Sequence, residues 1–329
     1  MSASSAPATS KMFFREAVAK AVREEMRANS RVLILGQDVG AFGGSYREYD
    51  GLFTEFGPDR VIDMPVAENA TIGVGAGAAA AGFRPLVTIT YMDFLMLGFD
   101  PLINYAAKLR YKTAGALTAP LVVKTTAGAQ GQGVAHSQCL EAWLMSVPGL
   151  QVVAPSNPAD AYGLMKTALR ADGPVVYLDH KRLFPTPGEV PLDEHVVPFG
   201  QAVIRRSGGD VTLVAHSYMV LVVLEAACRL ADQGVACEVI DLRSLAPLDL
   251  DAIVGSVART GRLVTVEEGQ LTCGVGVEIA MRVFERIGPR PTARVGALPA
   301  PVSSNPVLER ACIPDPERVS AAVLQVMSR

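Results

Sequence analysis

Positive charge is not in excess in this chain: 30 Lys and Arg stand against 33 Asp and Glu, a formal net charge of −3 over 329 residues. Without a basic face it lacks the electrostatic footprint that nucleic acid requires, which argues against such a partner. Cysteine is sparse and unpatterned. Cys139, Cys228, Cys237, Cys273 and Cys312 are odd in number, with no Cys-x-x-Cys among them. Reduced thiols of a cytoplasmic protein fit that distribution better than disulfides or zinc. His136, His180, His195 and His216 show no metal-ligand spacing either. No run reads as a membrane span, because the richest, Leu86 to Leu102, is broken by Asp93 and Asp100. Two phosphate signatures are missing as well. There is no G-x-x-x-x-G-K-[ST] loop. Nor is there a Gly-Asp-Gly followed downstream by Asn, the pattern that holds Mg²⁺ and a diphosphate in one large cofactor class.

What is present is apolar. Half of the chain is hydrophobic and its mean hydropathy is +0.27, which suggests extra surface buried against a partner. The length suffices for two domains. Ser2 to Ser10 is a Ser/Ala/Pro stretch with no Arg before Arg15, so residues 1–11 are expected to be a disordered tail and not a targeting peptide. A helix over Met12–Ala28 carries Phe14, Val18, Val22 and Met26 at helical spacing. Short strands then alternate with helices, and their nearly unbroken apolar runs predict a mostly parallel sheet covered on both faces. Asp100-Pro101 and Asn157-Pro158 read as helix starts, opening helices over Pro101–Lys112 and Pro158–Ala171. From Lys181 to Pro198 periodicity fails and prolines cluster, which places a linker at 185–200. The alternation resumes beyond it. The reading is therefore α/β with two domains, 12–184 and 201–329, each a mostly parallel sheet with helices on both faces.

Glu68 stands out. It lies between the apolar stretch Val61–Val66, read as a strand, and a helix of small residues from Ala70 to Gly82. Each helical glycine costs roughly 1 kcal/mol against alanine. Gly73, Gly75, Gly77 and Gly82 therefore need a compensating close approach, by another backbone or a bound molecule. A carboxylate entering a helix can do no more than cap it, or it can be a partly buried functional acid; both readings stand. Gly73-Val-Gly75-Ala-Gly77-Ala78 also matches a dinucleotide fingerprint, but its glycines come well inside the helix and not in the turn after a strand. His136 ends the glycine-rich stretch Ala127–Gly133 and precedes Ser137-Gln138, read as the start of a helix over Ser137–Ser146. Such an imidazole at a mobile rim suits proton transfer or substrate binding, or it merely caps its own helix. Phe94 follows a strand where the carboxyl end of a parallel strand opens into a crevice, a place for a core aromatic or a pocket wall.

Eight segments in order carry a resemblance. They are Leu35-Gly-Gln-Asp-Val-Gly40, Val66-Ala-Glu-Asn-Ala70, Tyr91-Met-Asp-Phe94, Ala106-Ala-Lys-Leu-Arg-Tyr111, Ala135-His-Ser-Gln138, Pro148-Gly-Leu150, Val239-Ile-Asp-Leu-Arg243 and Val266-Glu-Glu-Gly269. Together they resemble the beta subunit of the thiamine-diphosphate-dependent decarboxylating component of 2-oxo-acid dehydrogenase complexes, of the pyruvate, branched-chain or acetoin type. The resemblance runs from about Met12 to the C-terminus. It implies a transketolase-like pyrimidine-binding domain followed by a transketolase C-terminal domain. It also implies an alpha subunit that holds the diphosphate and Mg²⁺ in an α₂β₂ assembly, and a lipoyl acyltransferase core as acceptor. A small 2-oxo acid is the implied substrate and the cytoplasm the implied compartment.

By position, Glu68 matches the carboxylate that hydrogen-bonds the pyrimidine N1′ and favours the imino tautomer of the aminopyrimidine. Phe94 matches the aromatic packed on that ring, and His136 the histidine that lines the substrate channel and aids transfer to lipoamide. Gln37 stands near the cofactor where the family has an acid, and a neutral amide cannot relay a proton between active sites. Asn69 and Thr71 also depart from the family pattern. A K⁺ loop of some members maps to the carbonyls of Leu121, Ala168 and Leu169 and to Ala171 and Gly173, where polar residues are missing. A split transketolase's C-terminal half and a diverged non-catalytic paralogue are the alternatives.

Overall fold

The protein is described here by a computed structural model over residues 8–328. The tail expected at 1–11 lies outside the described residues up to residue 7. From there the chain does not stay loose. Strand β1 (Thr9–Phe13) pairs antiparallel with β8 (Pro187–Pro191), so residues read as tail and as linker form a two-stranded ribbon. Proline at both ends of β8 and mixed polarity hid it, since neither carries the period of a buried strand.

The first large sheet holds β2 (Val32–Gly36), β3 (Val61–Asp63), β4 (Arg84–Tyr91), β5 (Val122–Ala127), β6 (Gln151–Val153) and β7 (Val175–His180). Its order is β6-β7-β5-β4-β2-β3, all parallel, so the predicted class is met. Strands β2, β5 and β7 are buried at every residue, as double-sided coverage demands. The second sheet contains β9 (Val203–Arg206), β10 (Val211–Ala215), β11 (Cys237–Asp241), β13 (Leu263–Gln270) and β14 (Thr292–Ala297), in the order β14-β13-β10-β11-β9 with only β9 antiparallel. The remaining strand, β12 (Ser244–Ala246), crosses over and adds an antiparallel edge to β6 of the first sheet. One apolar cluster accordingly runs from Ile72 and Val123 in the first unit to Ile240 and Ile253 in the second.

The helices follow local chemistry. Phe14–Ala28 opens with the Phe13 amide donating to Glu16 Oε2 at 2.8 Å, and its apolar stripe packs against Pro158–Arg170. Pro158–Arg170 is capped by Asn157, whose Oδ1 accepts from the Asp160 amide at 3.0 Å. The helix expected from Pro101 begins at Asp100 with wide π-type turns to Ala106 before tightening to α over Ala107–Lys112. Sheet order places the functional crevice. The chain runs from β2 out to the edge strand β3 and returns on the other side of β2 as β4. That reversal opens a gap beyond the carboxyl ends of the strands, where α/β sheets bind ligands.

Candidate functional site

At that reversal lies a cleft of about 570 Å³. Gln37 enters it one residue after β2, Glu68 from the segment after β3, Phe94 from the turn after β4, and His136 from the loop after β5. Four residues singled out from the sequence thus meet at the carboxyl ends of four neighbouring strands.

Glu68 is the first residue of the helix Glu68–Ala80, and no side chain caps that helix. Among the described residues its carboxylate forms no hydrogen bond or ion pair, and it is half-buried on the cleft wall. It makes no capping hydrogen bond. The glycines behind it divide. A Cβ at Gly75 would collide with Val87 of β4 and press on Leu121, so Gly75 lets the helix sit close on the sheet. Gly77 faces open space and Gly73 meets only Pro101, at 3.9 Å. The close approach predicted for the whole run is real at Gly75, and it is made to the protein's own sheet.

Part of the lining is aromatic. The His136 ring stands edge-on to Tyr91, with centroids 4.5 Å apart and planes at 78°, and edge-on to Phe94 at 5.4 Å. The polar remainder of the lining includes Ser45, Thr88 and Thr90, and no Lys or Arg belongs to it.

The His136 loop is not the free rim expected from its glycines. Ala127–Ala129 is buried, and its backbone is tied by charged groups. The Ala129 amide donates to Glu268 Oε1 at 2.7 Å, and the Gly131 amide donates to Glu309 Oε2 at 2.5 Å. Arg182 Nε donates to the Ala129 carbonyl at 2.8 Å, and Lys181 Nζ to the Gly128 carbonyl at 2.7 Å and to the carbonyl of His136. Gly128 has φ +87°, and a Cβ there would strike His180. Burial pushes the Glu268 carboxyl up, but His180 at 2.9 Å, the Ala129 amide and Arg182 outweigh it and hold it below the usual carboxylate range. Burial lowers the Lys181 ammonium, opposed by Asp93, Cys139, Glu268 and Glu309.

The helix expected to start at Ser137 is shortened to Glu141–Met145. The Gln138 amide donates to Asp93 Oδ1 at 3.2 Å and the Leu140 amide to Met92 Sδ at 3.3 Å. Donors that would have opened a helix are spent on the turn after β4, and His136 caps no helix.

The K⁺ loop residues do not meet the cleft, and their carbonyls are taken by protein donors. The Val175 amide donates to Leu121 O at 2.8 Å and the Ala171 amide to Ala168 O at 3.2 Å. The Arg84 guanidinium donates to Leu169 O at 2.7 Å and Ala171 O at 2.5 Å. Gly173 lies half-buried beside them. The Arg84 guanidinium thus shares two of the oxygens on which a K⁺ ion would draw.

Tyr91 and Lys181 were not singled out from the sequence. Tyr91 is part of a quoted motif, and its place at the last residue of β4 is the signal that was available. Lys181 begins a stretch that reads as linker, and nothing local marks it.

Comparison with known proteins bears on this arrangement. Residues 10–187 match the transketolase pyrimidine-binding domain and residues 200–319 the transketolase C-terminal domain. The chain is similar to the pyruvate dehydrogenase E1 component subunit beta of Rhizobium meliloti (strain 1021), at 42% identity over 96% of this chain and 70% of that protein. It is similar to the subunit of the same name from Porphyra purpurea, at 39% over 97% and 98%, and to the mitochondrial one of Rattus norvegicus, at 38% over 98% and 93%. Among solved structures it superposes on a split-gene transketolase described as an inactive beta4 tetramer, with TM-score 0.81, 28% identity, and coverage of 96% of this chain and 98% of that one.

Proposed function

The chain belongs to the family of beta subunits of the thiamine-diphosphate-dependent decarboxylating component of 2-oxo-acid dehydrogenases, and from that premise we propose the reaction it serves. With an alpha subunit, in an α₂β₂ assembly, it decarboxylates a small 2-oxo acid and passes the acyl group to lipoamide on an acyltransferase core. The observation that carries this reading is Glu68, an unpartnered carboxylate on the wall of an aromatic-sided cleft that contains no Lys or Arg.

The residues fit one end of the cofactor. Thiamine diphosphate, when bound, supplies the electron sink that makes loss of CO₂ from a 2-oxo acid possible. Glu68 would hold a proton at the pyrimidine N1′, and Phe94 would pack on that ring. Gln37 lies beside them as a neutral hydrogen-bonding group. His136, wedged against Tyr91 and Phe94, faces the outgoing acyl group as donor or base. The lining offers the diphosphate no counter-charge, and among the described residues no cluster of three His, Cys, Asp or Glu is poised for a metal. The alpha subunit is accordingly assigned the diphosphate and Mg²⁺. The five free cysteines are in keeping with a reducing compartment such as the cytoplasm.

The test is co-expression with an alpha subunit, followed by an assay of 2-oxo-acid decarboxylation with thiamine diphosphate and Mg²⁺. Activity in the complex and none in either chain alone is expected. A well-assembled complex inert toward pyruvate, branched-chain 2-oxo acids and acetoin would overturn the reading. The likeness to the split transketolase favours a second reading, two-carbon transfer between sugar phosphates, which the same complex tests by turnover of those sugars.

A further inference from the structure

The charged groups that hold the His136 loop belong to no step described so far. Lys181 is 1% exposed, although it follows β7 directly at the edge of the inter-domain segment. A buried ammonium needs partners to offset its lost hydration. Those it has are unusual. Besides lying 5.2 Å over the Tyr91 ring, its Nζ donates only to backbone carbonyls, Gly128 at the start of the loop and His136 at its end. One cation thereby closes the loop onto itself and touches the base of the aromatic wall. Its neighbour Arg182 bridges the same loop, at Ala129 O, to Glu309 at 2.6 Å. Glu268 and Glu309 reach in from the C-terminal domain to the loop amides.

Among the described residues this is the one place where both domains bond to a single loop that bears a site residue. A structural lysine in a core pairs with carboxylates, as Lys124 does with Asp179 at 2.7 Å and Glu48 at 3.3 Å. Lys181 instead spends its donors on the backbone of the residue whose imidazole must be aimed.

We infer that Lys181 is a positioning residue for His136: its ammonium fixes the 128–136 loop so that the imidazole stays wedged between Tyr91 and Phe94 at the mouth of the cleft. The inference rests on the functional reading above only for the step it affects. Placement of the ring is independent of that step. A histidine acting on the outgoing acyl group loses rate steeply when displaced, by about a hundredfold for an ångström. Glu68 lines the same cleft but makes no bond to the loop among the described residues, so its proton placement is not expected to change.

The experiment has two arms. In the first, the full chain alone is labelled with ¹³C-histidine, and its four imidazole signals (136, 180, 195 and 216) are assigned by substitution. Lys181→Met is expected to shift and broaden the His136 signal while His195 and His216 stay in place. An unchanged His136 signal in folded Lys181→Met overturns the inference. Lys181→Arg, which keeps the charge and the donors, is expected to restore it. Hydrogen exchange on the unmodified chain tests the carboxylate half of the clamp by itself, because the Ala129 and Gly131 amides bond Glu268 and Glu309 and not Lys181. The Ala129, Gly131 and His136 amides are expected to exchange far more slowly than unstructured chain, and unprotected amides overturn the clamp. In the second arm the complex with alpha subunit is assayed. Lys181→Met is expected to lose about a hundredfold in lipoyl acylation and much less in decarboxylation read with an artificial electron acceptor, as is His136→Ala. Equal losses in the two assays overturn the positioning role. A wild-type complex without decarboxylase activity counts against the functional reading and leaves the first arm to judge Lys181.

Discussion

Glu68 shows what a residue-scale reading can and cannot extract. Its type and its place between an apolar stretch and a small-residue helix were visible in the chain, yet capping and catalysis were both open there. The structure adds that the helix has no side-chain cap and that the carboxylate lines the cleft unpaired among the described residues, which supports the proposed role. Glu68→Gln keeps the shape and removes the charge proposed to hold the pyrimidine proton. In the complex it is expected to lower kcat by about 10²–10⁴-fold, the range of a positioned proton-transfer group, with no change in thermal midpoint. Near-normal turnover in the folded variant sinks the assignment. Phe94 was legible for the same reason as Glu68, since the carboxyl end of a parallel strand is a binding position in any sheet of this class. Lys181 was not legible. Its partners are carbonyls 45 and 53 residues away in sequence, and a backbone acceptor leaves no trace in residue type.

Elements were read well where periodicity was strong and poorly where hydrogen bonds outside the element decided. The segment from Ser137 has helical composition, but Asp93 and Met92 take its amides, so the helix waits until Glu141. The glycine-rich helix was read correctly as a helix, while its four glycines were given one explanation that holds at Gly75. Gly75→Ala is expected to cost about 1–3 kcal/mol, because the new methyl meets Val87 and Leu121 in a packed core. Gly77→Ala, with nothing within 4 Å, is expected to gain about 0.5–1 kcal/mol in the isolated chain. Urea midpoints of the two variants check both signs, and a destabilised Gly77→Ala would show that this face is already packed. The pair of helices Phe14–Ala28 and Pro158–Arg170 supplies a pH test. Burial raises the Glu24 carboxyl, but hydrogen bonds from Lys166, Lys20 and Tyr162 outweigh it and bring it from 4.5 down to about 2. A depressed folded value means the stabilisation is complete above 4.5 and is lost as the pH falls toward 2. Glu24→Gln is therefore expected to be less stable than wild type above pH 4.5 and to converge with it near pH 2. Parallel stability curves across that window would contradict the linkage.

For the whole molecule, composition pointed to two units, and the structure shows how closely they are joined. Strand β12 leaves the second unit to extend the first sheet, and the apolar cluster crosses the boundary. Neither was visible in the chain, since a three-residue strand has no period and a shared core looks like two cores in sequence. The polar seam adds to the join. Asp160, in the helix Pro158–Arg170 of the first unit, pairs with Arg205 and with Arg243 at 3.1 Å, and Arg205 also bonds Asp241 of β11 at 2.9 Å. Asp241 is fully buried, and burial pushes its carboxyl up against the pull of Arg205. Arg205→Met would leave that carboxylate buried with only Ser156 and its own turn to satisfy it. The cost of breaking such a pair is about 3–5 kcal/mol. Because the core and the sheet are continuous across the seam, the loss is expected to act on the molecule as one cooperative unit. Calorimetry should record one transition for the wild type and one, at lower temperature, for Arg205→Met. A wild-type trace that separates into two transitions would show that the seam does not couple the units. A trace that splits only in the variant would show instead that this one arginine, and not the shared strand and core, holds them together.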